Sequence, residues 1–156
     1  MTERHESVLL HFFVRTFLAP FIMLFALYVL VHGEASPGGG FQGGAIFAAG
    51  VIISRLSLGL NQGSYSFLSR KTLLILACLG LGTFTFMGIA GVLFGGSFLN
   101  YGVVPLSWLD YIWPGDLGQR QMGIFIIEGG IALGVFATII LLFDFLTFET
   151  KGEDVP

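Results

Sequence analysis

Charge is what this sequence has least of. Asp, Glu, Lys and Arg make up 11% of its 156 residues, against about 25% in an ordinary soluble domain. A chain so poor in charge cannot clothe a globular surface with solvated side chains, so a soluble enzyme is not expected. Only seven residues are Lys or Arg, within a net charge of -3, which leaves no basic field to hold a phosphate backbone and excludes nucleic acid as a partner. The single cysteine excludes a disulfide framework and a cysteine-rich metal site. Cys78 has no histidine near it in sequence, and the chain contains neither a Gly-x-Ser-x-Gly elbow nor a His-Glu-x-x-His helix, so no catalytic residue, metal site or cofactor is expected. His11 and His32 fall at opposite ends of one apolar segment; a haem ligated by this chain would need its second axial ligand from a partner. Cys78 itself reads as a small buried apolar residue.

What the sequence has in abundance is apolar surface. Hydrophobic residues reach 54%, Phe alone contributes 17, and the mean hydropathy is +0.86. Four stretches, residues 8–31, 40–60, 72–94 and 122–143, approach or exceed the roughly 20 residues that carry a helix across the hydrocarbon core. Period-2 alternation is absent from them, and backbone groups in lipid must be satisfied within their own segment, so they read as helices and not barrel strands. The expected fold is all-α, a single membrane domain of four transmembrane helices over residues 1–156. Arg55 interrupts the second span and is expected to snorkel toward its end. The first segment is too long for a signal-peptide core, and Glu3 and Glu6 accompany Arg4 before it, so it is expected to remain in the mature protein. With four crossings, Arg4, Arg55, Arg70, Lys71 and Lys151 lie on one side and Arg120 on the other, which places both termini in the cytoplasm. Between the third and fourth spans, Tyr101, Trp108, Tyr111 and Trp113 suit a loop at the membrane interface, where an aromatic ring and its polar edge are both accommodated. Pro105 and Pro114 argue against one long helix there. That loop reads as an anchor of the bundle or as a surface for a partner.

Glycine is the second excess, at 23 residues. At about 100° per residue, Gly123, Gly130, Gly134 and Ala137 share one face of the fourth span, and Ala77, Gly80, Gly88, Gly91 and Gly95 share a broader face of the third. Small residues at four-residue spacing, as in Gly91 with Gly95 and Gly130 with Gly134, let helix backbones approach closely where lipid removes the usual hydrophobic drive. They serve either this chain's own helices or helices of other chains. Between the first two spans, Pro37, Gly38, Gly39, Gly40, Phe41, Gln42, Gly43 and Gly44 include the pattern G-x-G-x-x-G. A dinucleotide fingerprint needs a preceding strand and a following acid, and here an apolar span precedes and the region near Leu58 is apolar. The run reads as a tight structural turn, with Ser36 capping the second helix if that helix begins at Pro37.

Besides Arg55, two ionisable residues lie well inside the spans. Arg15 shares a face with His11 at i, i+4 and either snorkels outward or pairs with an acid. Glu128 follows Gly123-Ile-Phe-Ile-Ile and has a short side chain, so it must face protein or water, find a partner or bind a proton. It falls on nearly the opposite side of its helix from the glycine stripe. Two protein-seeking faces on one helix favour a subunit of a larger assembly. Glu128, Arg15 and His11 are therefore the candidates for an ion path or an intersubunit contact.

The stretch Tyr28-Val-Leu-Val-His-Gly-Glu-Ala-Ser-Pro-Gly-Gly-Gly-Phe-Gln-Gly-Gly44 resembles the B subunit of the Mrp-type multisubunit cation/proton antiporters, a small hydrophobic protein with a Pro-Gly-Gly-Gly-Phe turn after its first helix. The likeness is strongest from Pro20 to Ala49 and extends, through the four-helix layout and the acid early in the last helix, to about Phe143. It implies membership in a complex of about seven membrane subunits that exchanges cytoplasmic Na⁺ or another monovalent cation for external protons. In such a complex the recognised ion-transfer residues lie in other subunits, and Na⁺ and H⁺ are substrates of the whole. The family often has a polar or His residue where this chain has Glu34, so no role is carried over to that position. The corresponding subunit of a membrane-bound hydrogenase-type ion pump is the alternative within the resemblance. A homo-oligomeric small channel is the alternative outside it, and a complete ion path inside four helices would need more intramembrane polar groups than this chain has.

Overall fold

A computed structural model describes residues 9–33, 38–58, 68–101, 104 and 119–149. They form four helices: α1, Leu9–Val31; α2, Gly40–Leu58; α3, Arg70–Leu93; and α4, Gln119–Glu149. No strand occurs among the described residues. Ser36, Pro37, Pro105, Trp108, Tyr111, Trp113 and Pro114 lie outside them, and with them the expected interfacial loop beyond Tyr101.

The expectation of four transmembrane helices needs correction. Among the described residues three helices are long and apolar enough to cross a bilayer, namely α1, α3 and the Gln121–Thr147 part of α4; α2 is not one of them. The reason lies in its composition, GFQGGAIFAAGVIISRLSL, in which glycines, serines, Gln42 and Arg55 dilute the apolar residues. Such a helix is acceptable where neighbours shield it, and α2 packs between α1 and α4. The lateral order is therefore α1, α2, α4, α3, with α2 and α4 inside and the other two flanking them.

Glycines set the register at each junction. A side chain at Gly43 would meet Leu30 Cβ at 3.0 Å and one at Gly50 would meet Met23 Cγ at 3.1 Å, so α1 and α2 run antiparallel. Gly40 abuts the Glu128 backbone and Gly44 that of Ala132, so α2 and α4 run parallel. A Cβ on Gly80 would lie 2.5 Å from both the Gly130 oxygen and the Gly134 nitrogen, and one on Gly130 would lie 2.9 Å from Thr83 Cβ, which makes α3 and α4 antiparallel. Backbones this close gain dispersion contacts that bulkier side chains would prevent. The two faces of α4 are thereby both filled within the chain, the glycine face by α3 and the Glu128 face by α2. Contrary to expectation, a two-faced α4 gives no reason to invoke other chains.

Ala48, Val51, Leu73, Ala137 and Ile140 fill the core at one end of the bundle, and Met87, Ala90, Met122 and Ile127 fill it at the other. Helix ends depart from expectation in explicable ways. α3 begins at Arg70, with Ser69 Oγ accepting from the Thr72 amide at 3.2 Å, a side-chain cap that satisfies an otherwise orphan donor. Its other end closes on Gly95, at φ +85°, while the Gly95 amide donates to Val92 and the Gly96 amide to Gly91. This is the Schellman arrangement. Gly95 is thus a cap and not a helix-packing residue. Gly91 faces Ser97 and Asn100 of the returning chain, and Gly123 is covered by Tyr101. α2 starts at Gly40, with Gly38 and Gly39 ahead of it outside the helix; the capping expected of Ser36 falls outside the described residues. Cys78 is exposed and not buried, because α3 is a flanking helix with one face on α4.

Candidate functional site

Two features that stood apart in the sequence, the glycine turn and the acid of the last span, meet in space. Gly33, at the end of α1, and Gly39, at the start of α2, both border the Glu128 carboxylate. A Cβ on Gly33 would lie 2.6 Å from Oε2, and one on Gly39 would lie 2.9 Å from Oε1. Gly39 also has φ +112°, a conformation that side chains with a Cβ resist. Its carbonyl accepts the first bond of α2, from the Gly43 amide at 2.9 Å. The glycines thus clear a space beside α4 into which the acid projects, and Glu128 is half-buried there. Next to this turn, His32 stacks on Tyr28 with ring centroids 4.1 Å apart, and its Nδ1 lies 3.1 Å from the Tyr28 carbonyl oxygen. At the same end of the bundle, burial pushes the Tyr101 phenol up, since desolvation disfavours its anion.

Phe41 and Gln42 of the turn motif are exposed, while Gly43 and Gly44 serve the junctions of α2 with α1 and α4. Gly38 and Gly39 precede α2. Arg15 and His11 do not join this group. Both are exposed near the opposite end of α1, and Arg15 lies in a π-helical turn, Val14–Leu18.

That opposite end holds a polar contact that sequence reasoning does not reach. Arg55 Nη1 donates to Asp144 Oδ1 at 2.5 Å, an ion pair between α2 and α4 with both side chains mostly buried. Nη2 donates at 3.5 Å to the Leu68 carbonyl, so one guanidinium ties three segments together, and Arg70 stacks over Phe145 nearby at 4.9 Å. Arg55 is thus paired inside the bundle, whereas snorkelling was expected. The signal was present: Asp144 directly follows the last expected span, and parallel α2 and α4 bring it level with Arg55. It was hidden because no sequence pattern states that those two helices are parallel neighbours.

A family model described as a domain related to the MnhB subunit of Na⁺/H⁺ antiporter matches residues 10–141. The chain belongs to the MnhB family. Among curated relatives, the Na⁺/H⁺ antiporter B subunit of Alkalihalophilus pseudofirmus is 30% identical over 146 residues, covering 87% of this chain and 94% of that one. The protein of the same name from Bacillus subtilis is 27% identical over 120 residues, covering 76% and 82%. An uncharacterised protein of Methanocaldococcus jannaschii is 36% identical over 80 residues, and there the match takes in 50% of this chain but only 30% of the relative. No solved structure matches. The MnhB match includes the glycine turn, Glu128 and Arg55, and it ends before Asp144.

Proposed function

We propose that this membrane protein is a small subunit of a multisubunit antiporter that exchanges Na⁺ or another monovalent cation for protons. The observation that carries this reading is the extent of the likeness to the Alkalihalophilus protein, at 30% identity across 94% of its length. Both named relatives are antiporter subunits, which favours this assignment over a hydrogenase-type pump or a homo-oligomeric channel. Its partners are the other membrane subunits and the lipid bilayer, and its place is the cell membrane; with α2 crossing between α1 and α4, the excess of Lys and Arg puts both termini in the cytoplasm. Transported Na⁺ and H⁺ are substrates of the complex, and no cofactor is invoked.

Within that role, Glu128 contributes to the ion path at the outer end of α2 and α4. Support comes from where its carboxylate sits, close against the backbone of Gly33 and Gly39 at the junction of α1, α2 and α4, which holds a titratable group inside the bundle near its outer end. Glu128→Gln keeps the shape and most hydrogen-bonding capacity but cannot titrate. In the intact complex it is expected to slow antiport by about tenfold or more, which is at least about 1.4 kcal/mol of barrier, or to shift the pH or Na⁺ dependence. Unchanged antiport kinetics across pH in an assembled complex would remove Glu128 from the path.

A further inference from the structure

The π-helical turn Val14–Leu18 changes what α1 shows to the rest of the bundle. Counting back from the residues that α1 buries against α2, Ala26 and Ala19, an uninterrupted α-helix would next bury position 15, since i and i+4 share a face. The π turn holds one residue more than an α turn. Val14 consequently takes the buried position, and Arg15 is turned out of the bundle and exposed. Among the described residues no side chain pairs with Arg15, and Asp144, an acid at this end of the bundle, is engaged by Arg55. Around Arg15 the outward surface of α1 is aromatic: Phe13 and Phe17 stack at 6.0 Å, and Phe12 is exposed. Arginine keeps its charge in proteins and presents a planar fork matched to carboxylates. A guanidinium in this position, several residues inside a membrane-crossing helix, requires a counter-charge.

From these observations we infer that the outer face of α1 around Arg15 docks a transmembrane helix of another subunit, and that this helix supplies an Asp or Glu to the Arg15 guanidinium. The inference rests on the proposed membership of a multisubunit complex and deepens it by naming the contact surface and its chemistry. A lipid phosphate is the competing counter-ion, because the arginine stem can carry the charge toward a headgroup. Snorkelling, however, is governed by depth, whereas the π turn sets the direction around the helix. Direction matters for a partner held at one position and not for lipids that surround the exposed face.

The test uses the whole complex, purified from membranes through a tag on this chain. Arg15→Leu suits lipid but leaves a buried partner carboxylate unpaired, which weakens the contact. Co-purification of the other subunits is therefore expected to fall by about tenfold or more, tenfold corresponding to about 1.4 kcal/mol, while insertion of this chain is unchanged. Acid-to-arginine changes in the partner, screened against Arg15→Glu, should then restore it at one position. Phe12→p-benzoylphenylalanine gives a second reading in the otherwise unaltered chain: photo-crosslinking to another subunit supports the docking face, and crosslinking to lipid alone overturns it. Normal co-purification and antiport with Arg15→Leu would also overturn it in favour of the headgroup. Failure of the unaltered chain to co-purify with any membrane subunit would instead refute the multisubunit reading itself.

Discussion

At the scale of single residues, the outer end of the bundle depends on Gly39. Its φ of +112° is in the left-handed region, and a Cβ there would stand 2.9 Å from Glu128 Oε1. Gly39→Val therefore combines backbone strain of about 1–3 kcal/mol with displacement of the acid. The expected outcome is a lower yield of assembled complex and a lower Tm for what assembles, measured in detergent. If antiport fell while assembly and Tm stayed normal, the glycine would have a direct part in transport instead. Each half of this site was legible in the sequence, the glycines as a turn and Glu128 as an acid too costly to leave in lipid. Their meeting was not, because it depends on α2 and α4 lying side by side, and neither residue type encodes a long-range pairing. The same gap concealed Asp144, whose partner Arg55 stands out in the sequence but reads there as a residue of the membrane edge.

At the scale of helices, α3 and α4 meet at Gly80, Gly130 and Gly134, and the structure distinguishes glycines that a stripe does not. Gly80 has the backbone of Gly130 and Gly134 within 2.5–2.8 Å of where a Cβ would be, whereas Gly82, two residues on, has nothing within 4 Å. Gly80→Ala must push two backbones apart and is expected to cost about 1–3 kcal/mol, as overpacking does. Gly82→Ala adds a methyl on the exposed face and is expected to be neutral or to stabilise by up to about 1 kcal/mol through helix propensity. Thermal unfolding of the purified chain in detergent compares them directly. Equal effects of the two substitutions would show that α3 and α4 do not meet at Gly80. Legibility failed at the ends and irregularities of helices. Gly95 continued a four-residue spacing yet caps α3, and nothing in the run Val14 to Leu18 announces a π turn, which arises where burying Val14 and Ala19 on one face is better than burying Arg15.

At the scale of the whole molecule, composition and architecture diverge over α2. Composition leaves it short of a membrane-crossing helix, while packing sets it antiparallel to α1 and parallel to α4 through Gly40 and Gly44 at one end and the Arg55–Asp144 pair at the other. At about 1.5 Å per residue, the 15 steps from Gly40 to Arg55 correspond to roughly 22 Å alongside α4, most of a hydrocarbon core of about 30 Å. A polar helix lying beside its neighbours over that depth is shielded from lipid by α1 and α4, so low hydropathy does not bar it from crossing. The consequence is testable through sidedness. In a Cys78→Ser background, which removes the exposed native thiol, His32→Cys lies between α1 and α2 and Ser69→Cys immediately before α3, both at exposed positions. If α2 crosses with the orientation given by the five-to-one excess of Lys and Arg, a membrane-impermeant thiol reagent labels His32→Cys in intact cells and Ser69→Cys only after permeabilisation. The reverse pattern would invert the orientation and keep the crossing. Labelling of both from the same side would mean that α2 returns without crossing, and the parallel packing of α2 on α4 would then have to be abandoned as well, since a helix held along Glu128 to Asp144 cannot begin and end on one side.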